Sequence, residues 1–448
     1  MIAQRFASPN PIESLESRRL LAIDFAPPVI SSIGATQSFV VADFNRDGKT
    51  DLVAESASSG RVFFYPGLGD GRFAVSLVAL PIDVGPNVVG LTVADFNRDG
   101  KLDLAAANGS TTAAPGGVSV VFGNGDGTFT KGLRLRAGPS PTAIAVGDVN
   151  GDGRLDLAVA DDGLWPATTP PGVQGFGAAV LLGTATGFAP AMRLPLPVPT
   201  SAVASTRPLN TVTGGVAFGG LAFAGELHTA TDPLPRTLVV LVPGLMNATL
   251  AYPQFVLPGL NRGLVAGPLN VDRFFDVAAL QVVGNNASNL SAVNVHTVVS
   301  APSPTSLASP RYVVRGPFAT GQLTGEGIAA GDFDRDARLD VVVTGMRSAG
   351  PMLPAMYGAV AVLPGRGDGT LAPAIPFHAG LTPFGIAVGE LNRDGRLDVV
   401  VSGSGGVSAL LNRTPRPANF SSKPIDELLP APKDLSTMPM SADVLSAA

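Results

Sequence analysis

The chain has 448 residues, no cysteine, 54 glycines, 40 prolines, a net charge of −5 and only 15% charged residues. Missing cysteine excludes disulfides, thiolate metal sites and cysteine nucleophiles. The weak negative charge and few aromatics exclude a nucleic-acid footprint. Glycine and proline suit short strands joined by turns, because proline costs about 3 kcal/mol inside a helix.

Residues 1–22 read as a leader and residues 415–448, with their Pro, Ser and small residues, as a disordered tail. Met1 to Asn10 lacks the apolar stretch and small-residue cleavage site of an ordinary secretory signal. The best apolar run, Thr237 to Leu245, contains proline and is far shorter than the roughly 20 residues that cross a bilayer.

Between these ends one nine-residue pattern recurs. It reads Asp43-Phe-Asn-Arg-Asp-Gly-Lys-Thr-Asp51, Asp95-Phe-Asn-Arg-Asp-Gly-Lys-Leu-Asp103 and Asp148-Val-Asn-Gly-Asp-Gly-Arg-Leu-Asp156. It returns as Asp332-Phe-Asp-Arg-Asp-Ala-Arg-Leu-Asp340 and Glu390-Leu-Asn-Arg-Asp-Gly-Arg-Leu-Asp398. Two eroded copies, Glu226 to Asp232 and Leu269 to Asp276, fill the long gap and bring the count to seven units. Apolar stretches precede and follow each acidic loop. A third strand then meets a turn such as Gly123-Asn-Gly-Asp-Gly-Thr-Phe129, and a more polar fourth strand follows. Asp-Gly between apolar runs is a strong hairpin signal.

Each unit therefore reads as a four-stranded antiparallel sheet. Seven such sheets around an axis predict an all-β, seven-bladed β-propeller over residues 23–414. The last unit lacks a fourth strand, and residues 23–33 sit where that strand belongs. The expectation is that this N-terminal strand completes the last blade and removes two exposed edges.

The five intact loops hold 16 of the 35 acidic residues. Side-chain oxygens fall at positions 1, 3, 5 and 9, and alternate residues of a tight loop can converge on one centre. The candidate ligands are Asp43, Asn45, Asp47 and Asp51; Asp95, Asn97, Asp99 and Asp103; Asp148, Asn150, Asp152 and Asp156; Asp332, Asp334, Asp336 and Asp340; and Glu390, Asn392, Asp394 and Asp398. The backbone carbonyls of Lys49, Lys101, Arg154, Arg338 and Arg396 at position 7 add one ligand each. This oxygen supply suits a hard cation with about 6–8 ligands at about 2.3–2.6 Å, and calcium fits best, with three to five ions in all. Position 6 is glycine in four loops, where a left-handed backbone costs little, and Ala337 in the fourth predicts strain there. Position 12 lacks the glutamate of an EF-hand. The competing reading is a solvated acidic hairpin closed by its own Lys and Arg side chains.

The pattern D-x-[DN]-x-D-G-x-x-D, preceded by an apolar strand and followed by a second, resembles FG-GAP and VCBS repeats. The resemblance implies a propeller similar to the integrin α-subunit head, with structural calcium in the hairpin loops. Ile12-Glu-Ser-Leu-Glu-Ser-Arg-Arg-Leu-Leu21 resembles a motif near the N-terminus of planctomycete surface and exported proteins, which implies an extracellular or cell-surface location.

Other signals carry little. Gly48-Lys49-Thr50 lacks the first glycine of a phosphate loop. Arg366-Gly-Asp368 lies inside a repeat turn, and His228, His296 and His378 share no spacing. Asn108 and Asn286 open Asn-x-Ser triplets that chance supplies in such a chain. Asp161–Gly175, with Trp165, and Pro190–Thr213 read as insertions, and long loops commonly carry binding. The expected function is binding of a protein or carbohydrate ligand on a propeller face, by a monomer and without catalysis. A propeller-based polysaccharide lyase or hydrolase, and a purely structural surface component, are the rivals.

Overall fold

The computed structural model describes residues 23–75, 81–111, 116–165, 175–205, 220–229, 232–243, 253–270, 276–283, 292–301, 311–321, 323–348 and 356–415. The leader motif, Asn286, nearly all of the tail and parts of both insertions lie outside them. Every regular element among the described residues is a β-strand, and the strands form seven radial sheets and one small two-stranded sheet, Gly183–Thr184 with Gly187–Phe188. No helix among the described residues is long and apolar enough to cross a membrane.

Blade 1 comprises Phe39–Ala42, Asp51–Ser56 and Arg61–Tyr65. Its fourth-strand position falls partly outside the described residues. Blade 2 has four antiparallel strands, Val88–Ala94, Asp103–Asn108, Gly117–Gly123 and Phe129–Leu135. Blade 3 spans Pro141–Gly147 to Met192–Pro195, blade 4 Thr200–Ser205 to Gln254–Pro258, blade 5 Leu260–Gly267 to Arg311–Ala319, and blade 6 Gly327–Gly331 to Ile375–His378. Blade 7 takes three strands, Pro383–Gly389, Asp398–Gly403 and Gly406–Leu410. Its fourth is Val29–Ser31, antiparallel to Gly406–Leu410, with Val29 opposite Ala409. The predicted closure is thus present.

The first strands of successive blades touch each other all the way round, and the first strand of blade 7 meets that of blade 1. They therefore line the axis. The core is seven separate apolar clusters, one at each blade interface. The second strands make this possible. Val399, Val400 and Val401 are consecutive and all buried, as are Leu104, Ala105, Ala106 and Ala107 in blade 2. Successive side chains point to opposite faces of a sheet, so each such strand feeds two interfaces. Small residues let neighbouring blades approach closely, while full burial of a leucine such as Leu52 or Leu104 contributes about 1.5–3 kcal/mol.

Two expectations are overturned by the strands. Pro190–Thr213 is not one insertion, because it contains the last strand of blade 3, Met192–Pro195, and the first of blade 4, Thr200–Ser205. Nor is Glu226 to Asp232 an eroded acidic loop. Glu226 lies within the second strand of blade 4, opposite Thr237, and Asp232 opens the third strand. The loop position of blade 4 is residues 206–219, outside the described residues. A pair of acidic residues before an apolar run marks a strand pair as readily as a loop. Asp161–Gly175 likewise extends two paired strands, with Trp165 opposite Gly175.

Candidate functional site

All five acidic loops join the first and second strands of their blades, in blades 1, 2, 3, 6 and 7. They share a face with the Gly-Asp-Gly turns. Gly67 backs directly onto the Thr50 carbonyl and Gly123 onto the Leu102 carbonyl, where any side chain would collide.

The loop backbone wraps around its own acidic side chains. In the first loop Asp43 accepts the amides of Asp47 and Gly48 at 3.2 and 2.8 Å, and Asn45 Oδ1 accepts that of Asp47 at 2.9 Å. Asp95, Asn97, Asp148, Asn150, Asp332 and Asp334 accept the equivalent amides, and Glu390 and Asn392 both accept that of Asp394. Two residues per loop are left-handed. Position 6 is one, as expected, including Ala337 at φ 64°. Position 4 is the other. Arg46 and Arg98 lie at φ 60°, Arg335 and Arg393 at 61°, and Gly151 at 74°.

Position 5 faces the side chain of position 7. The ion pairs Lys49–Asp47, Lys101–Asp99, Arg154–Asp152, Arg338–Asp336 and Arg396–Asp394 span 3.5, 3.7, 3.9, 3.5 and 2.8 Å. The amide of Lys49 also donates to Asp47 and holds its carboxyl below the usual carboxylate range.

Position 9 is the buried end of each loop. Asp51 accepts the amides of Phe44, Asn45 and Gly67 at 3.0, 3.2 and 2.8 Å. Asp103, Asp156, Asp340 and Asp398 do the same for their loops and turns. Asp276 also does it, with Leu269, Asn270 and Ser300, so the Leu269–Asp276 unit keeps the strand junction while Pro268 stands at position 1. Burial pushes Asp340 up to about 7 and Asp156 and Asp398 up to about 6, although backbone amides pull each of them down.

The fourth loop gathers its carboxylates most tightly. One oxygen from each of Asp332, Asp334 and Asp340 lies within 4.8 Å of the others. Asp336 stays outside this group. Burial, then the Asp336 charge, pushes Asp334 up to about 6, and burial raises Asp332 as well. Asp334 and Asp340 are buried and Asp332 is half-buried. Mutually repelling carboxylates in such a place are a donor set that a divalent cation would relieve. The fit to calcium is therefore good in this loop. In the other four, Asn45, Asn97, Asn150 and Asn392 occupy position 3, and no three carboxylates come that close among the described residues.

The remaining candidates separate. The Arg366–Asp368 turn is closed by Asp368 accepting the Thr370 amide and hydroxyl at 2.8 and 2.6 Å. Asn108 is buried, and its amide nitrogen donates to the Val84 and Pro86 carbonyls, each at 2.9 Å. His296 is buried, which lowers its pKa, and His378 stacks on Tyr357 at 5.3 Å. On the opposite face, a cleft of about 500 Å³ between blades 1 and 2 is lined by Arg61, Asp83, Asn87 and Arg134.

Residues 43–106 and 109–159 match the model of the FG-GAP-like repeat, and residues 140–182 match that of the FG-GAP repeat. The chain is a seven-bladed propeller, and the matched residues, within its first three blades, are similar to FG-GAP repeats. No curated protein matches it.

Proposed function

We propose that this protein is a calcium-braced binding propeller of the cell surface or extracellular space, which holds a protein or carbohydrate ligand on one face as a monomer. The observation that carries the calcium is the meeting of Asp332, Asp334 and Asp340 within 4.8 Å in a loop that four others repeat on the same face. Asp332, Asp334 and Asp336, with the Arg338 carbonyl, would hold the ion, and Asp340 would tie it to the strand junction. The corresponding residues of the other loops would act alike. Calcium would supply structural charge neutralisation there, and free extracellular calcium is in the range that weak loop sites need.

Binding is favoured over catalysis because the charged groups that meet outside the loops are ion-paired, Asp83 with Arg134 at 2.9 Å and with Lys131 at 4.0 Å. The cleft beside blades 1 and 2 supports a polar ligand, since Arg61, Asp83, Asn87 and Arg134 offer both donors and acceptors next to Ile82. The test is a screen of immobilised glycans and surface-protein extracts, run in calcium and in chelator. Calcium-dependent capture that Arg134→Ala weakens supports the reading. Turnover of a polysaccharide would replace it with an enzyme.

A further inference from the structure

The arginine at position 4 of one loop reaches the next loop round the ring. Arg46 Nη2 donates to the Gly100 carbonyl at 3.0 Å, and Arg98 Nη2 donates to the Gly153 carbonyl. Arg393 donates from Nε to the Gly48 carbonyl at 2.7 Å and from Nη2 to the Asp47 carbonyl at 2.6 Å, across the seam where the ring closes. Arg335 reaches over Gly395, where an added Cβ would lie 3.2 Å from its Nη2. In every case the arginine meets position 6 of the neighbouring loop.

That position is one end of a peptide held at both ends. In three of the four the carbonyl of position 6 accepts from the arginine. The amide of position 7, on the same peptide, donates to the position 5 carboxylate, as Lys49 does to Asp47 at 2.8 Å and Lys101 to Asp99 at 2.9 Å. A guanidinium on this carbonyl thus fixes the plane of a peptide that leads into the position 7 carbonyl and aims a ligand carboxylate. The arginine is itself aimed by a left-handed backbone between positions 3 and 5 of its own loop. The series runs from blade 6 to 7, 1, 2 and 3. It stops at blade 3 because Gly151 has no side chain, and Val271 stands at position 4 in blade 5.

We propose that the four position 4 arginines are positioning residues that couple each calcium loop to the next, so that the five loops load as one cooperative array. This rests on the calcium reading above. An ion in one loop fixes the backbone between its ligands, the arginine is held on the next loop, and that loop loses less entropy when it binds.

The sign of one substitution separates positioning from simple charge. Removing a cation near a calcium site should tighten binding by Coulomb repulsion alone. Coupling predicts the reverse. Calorimetric titration of the stripped full chain with calcium should show Arg46→Ala weakening one site by about fivefold or more. Arg46→Gln, which keeps a donor and drops the charge, should retain most of that affinity. With loop 2 silenced by Asp95→Asn and Asp99→Asn, Arg46→Ala should change nothing further. Tighter or unchanged binding in Arg46→Ala, or a loss that persists with loop 2 silenced, overturns the coupling. If the unsubstituted chain takes up no calcium, the calcium reading itself fails; if it takes calcium and Arg46→Ala is neutral, only the coupling fails. Melting curves in chelator check that each variant is folded.

Discussion

The amide of Asp24 donates to the Thr414 hydroxyl oxygen at 3.1 Å, across 390 residues of chain. Beside it, the Ala26 amide donates to the Leu411 carbonyl and the Arg413 amide to the Asp24 carbonyl, at 2.8 and 2.7 Å. Phe25 lies edge-on to Phe377 and Phe333, with ring centroids at 4.9 and 6.0 Å. Chain from the two ends of the propeller is therefore stitched together at blade 7.

This closure predicts that Phe25→Ala lowers the unfolding free energy by about 3 kcal/mol, the cost of emptying an aromatic site in a core. Denaturant unfolding measures it. A change within error would mean that the ring is held closed elsewhere.

Position 9 and position 5 should separate in chelator. Asp51→Ala leaves three amides at the strand junction without an acceptor and should cost about 3 kcal/mol or more, with or without metal. Asp47 is exposed, so Asp47→Ala should leave the chelated protein nearly as stable while it weakens calcium uptake. Melting temperatures of both variants, in chelator and in calcium, check the contrast.

Ala337 sits at φ 64°, which a side chain adopts at a cost of about 1 kcal/mol. Ala337→Gly removes that strain but adds freedom to the unfolded chain. The net expectation is a stabilisation of up to about 1 kcal/mol in chelator, read from denaturant unfolding. Destabilisation would show that the methyl group packs usefully.

Stability should depend on pH in a definite direction. The folded-state values of Asp340, Asp156 and Asp398 lie above the ordinary carboxylate value, at about 7, 6 and 6. Between the ordinary value of about 4 and these values the native state holds more protons than the unfolded chain. Unfolding free energy in chelator then falls as pH rises through this window. Melting temperature should decline from about pH 5 to about pH 7.5 in chelator, and calcium should oppose the decline because it favours the ionised carboxylates. A rise with pH in chelator would contradict these shifts.

The fold is legible in the sequence because the acidic loop repeats at nearly constant spacing. A missing last strand, beside an unassigned apolar stretch at residues 23–33, signals the closure. The acidic residues that the loops bring together are legible for the same reason. The structural role of position 9 has a signal too, since Asp276 persists where position 1 has become Pro268. The arginine contacts are harder to see, because Arg46 and Gly100 lie 54 residues apart and belong to different motifs. Arginine at position 4 in four loops, with Gly151 in the third, is the available hint. Blade 4 misleads because Glu226 and Asp232 imitate a loop on what is a strand pair.

Calorimetric titration of calcium into the chelator-stripped chain, with a melting curve at each point, tests the calcium proposal most directly. The expected result is saturable binding at three to five sites and a melting temperature that climbs with occupancy. Neither heat nor shift would mean that ion pairs such as Lys49–Asp47 and Arg396–Asp394 already close these loops as acidic hairpins, and calcium would have no part in them.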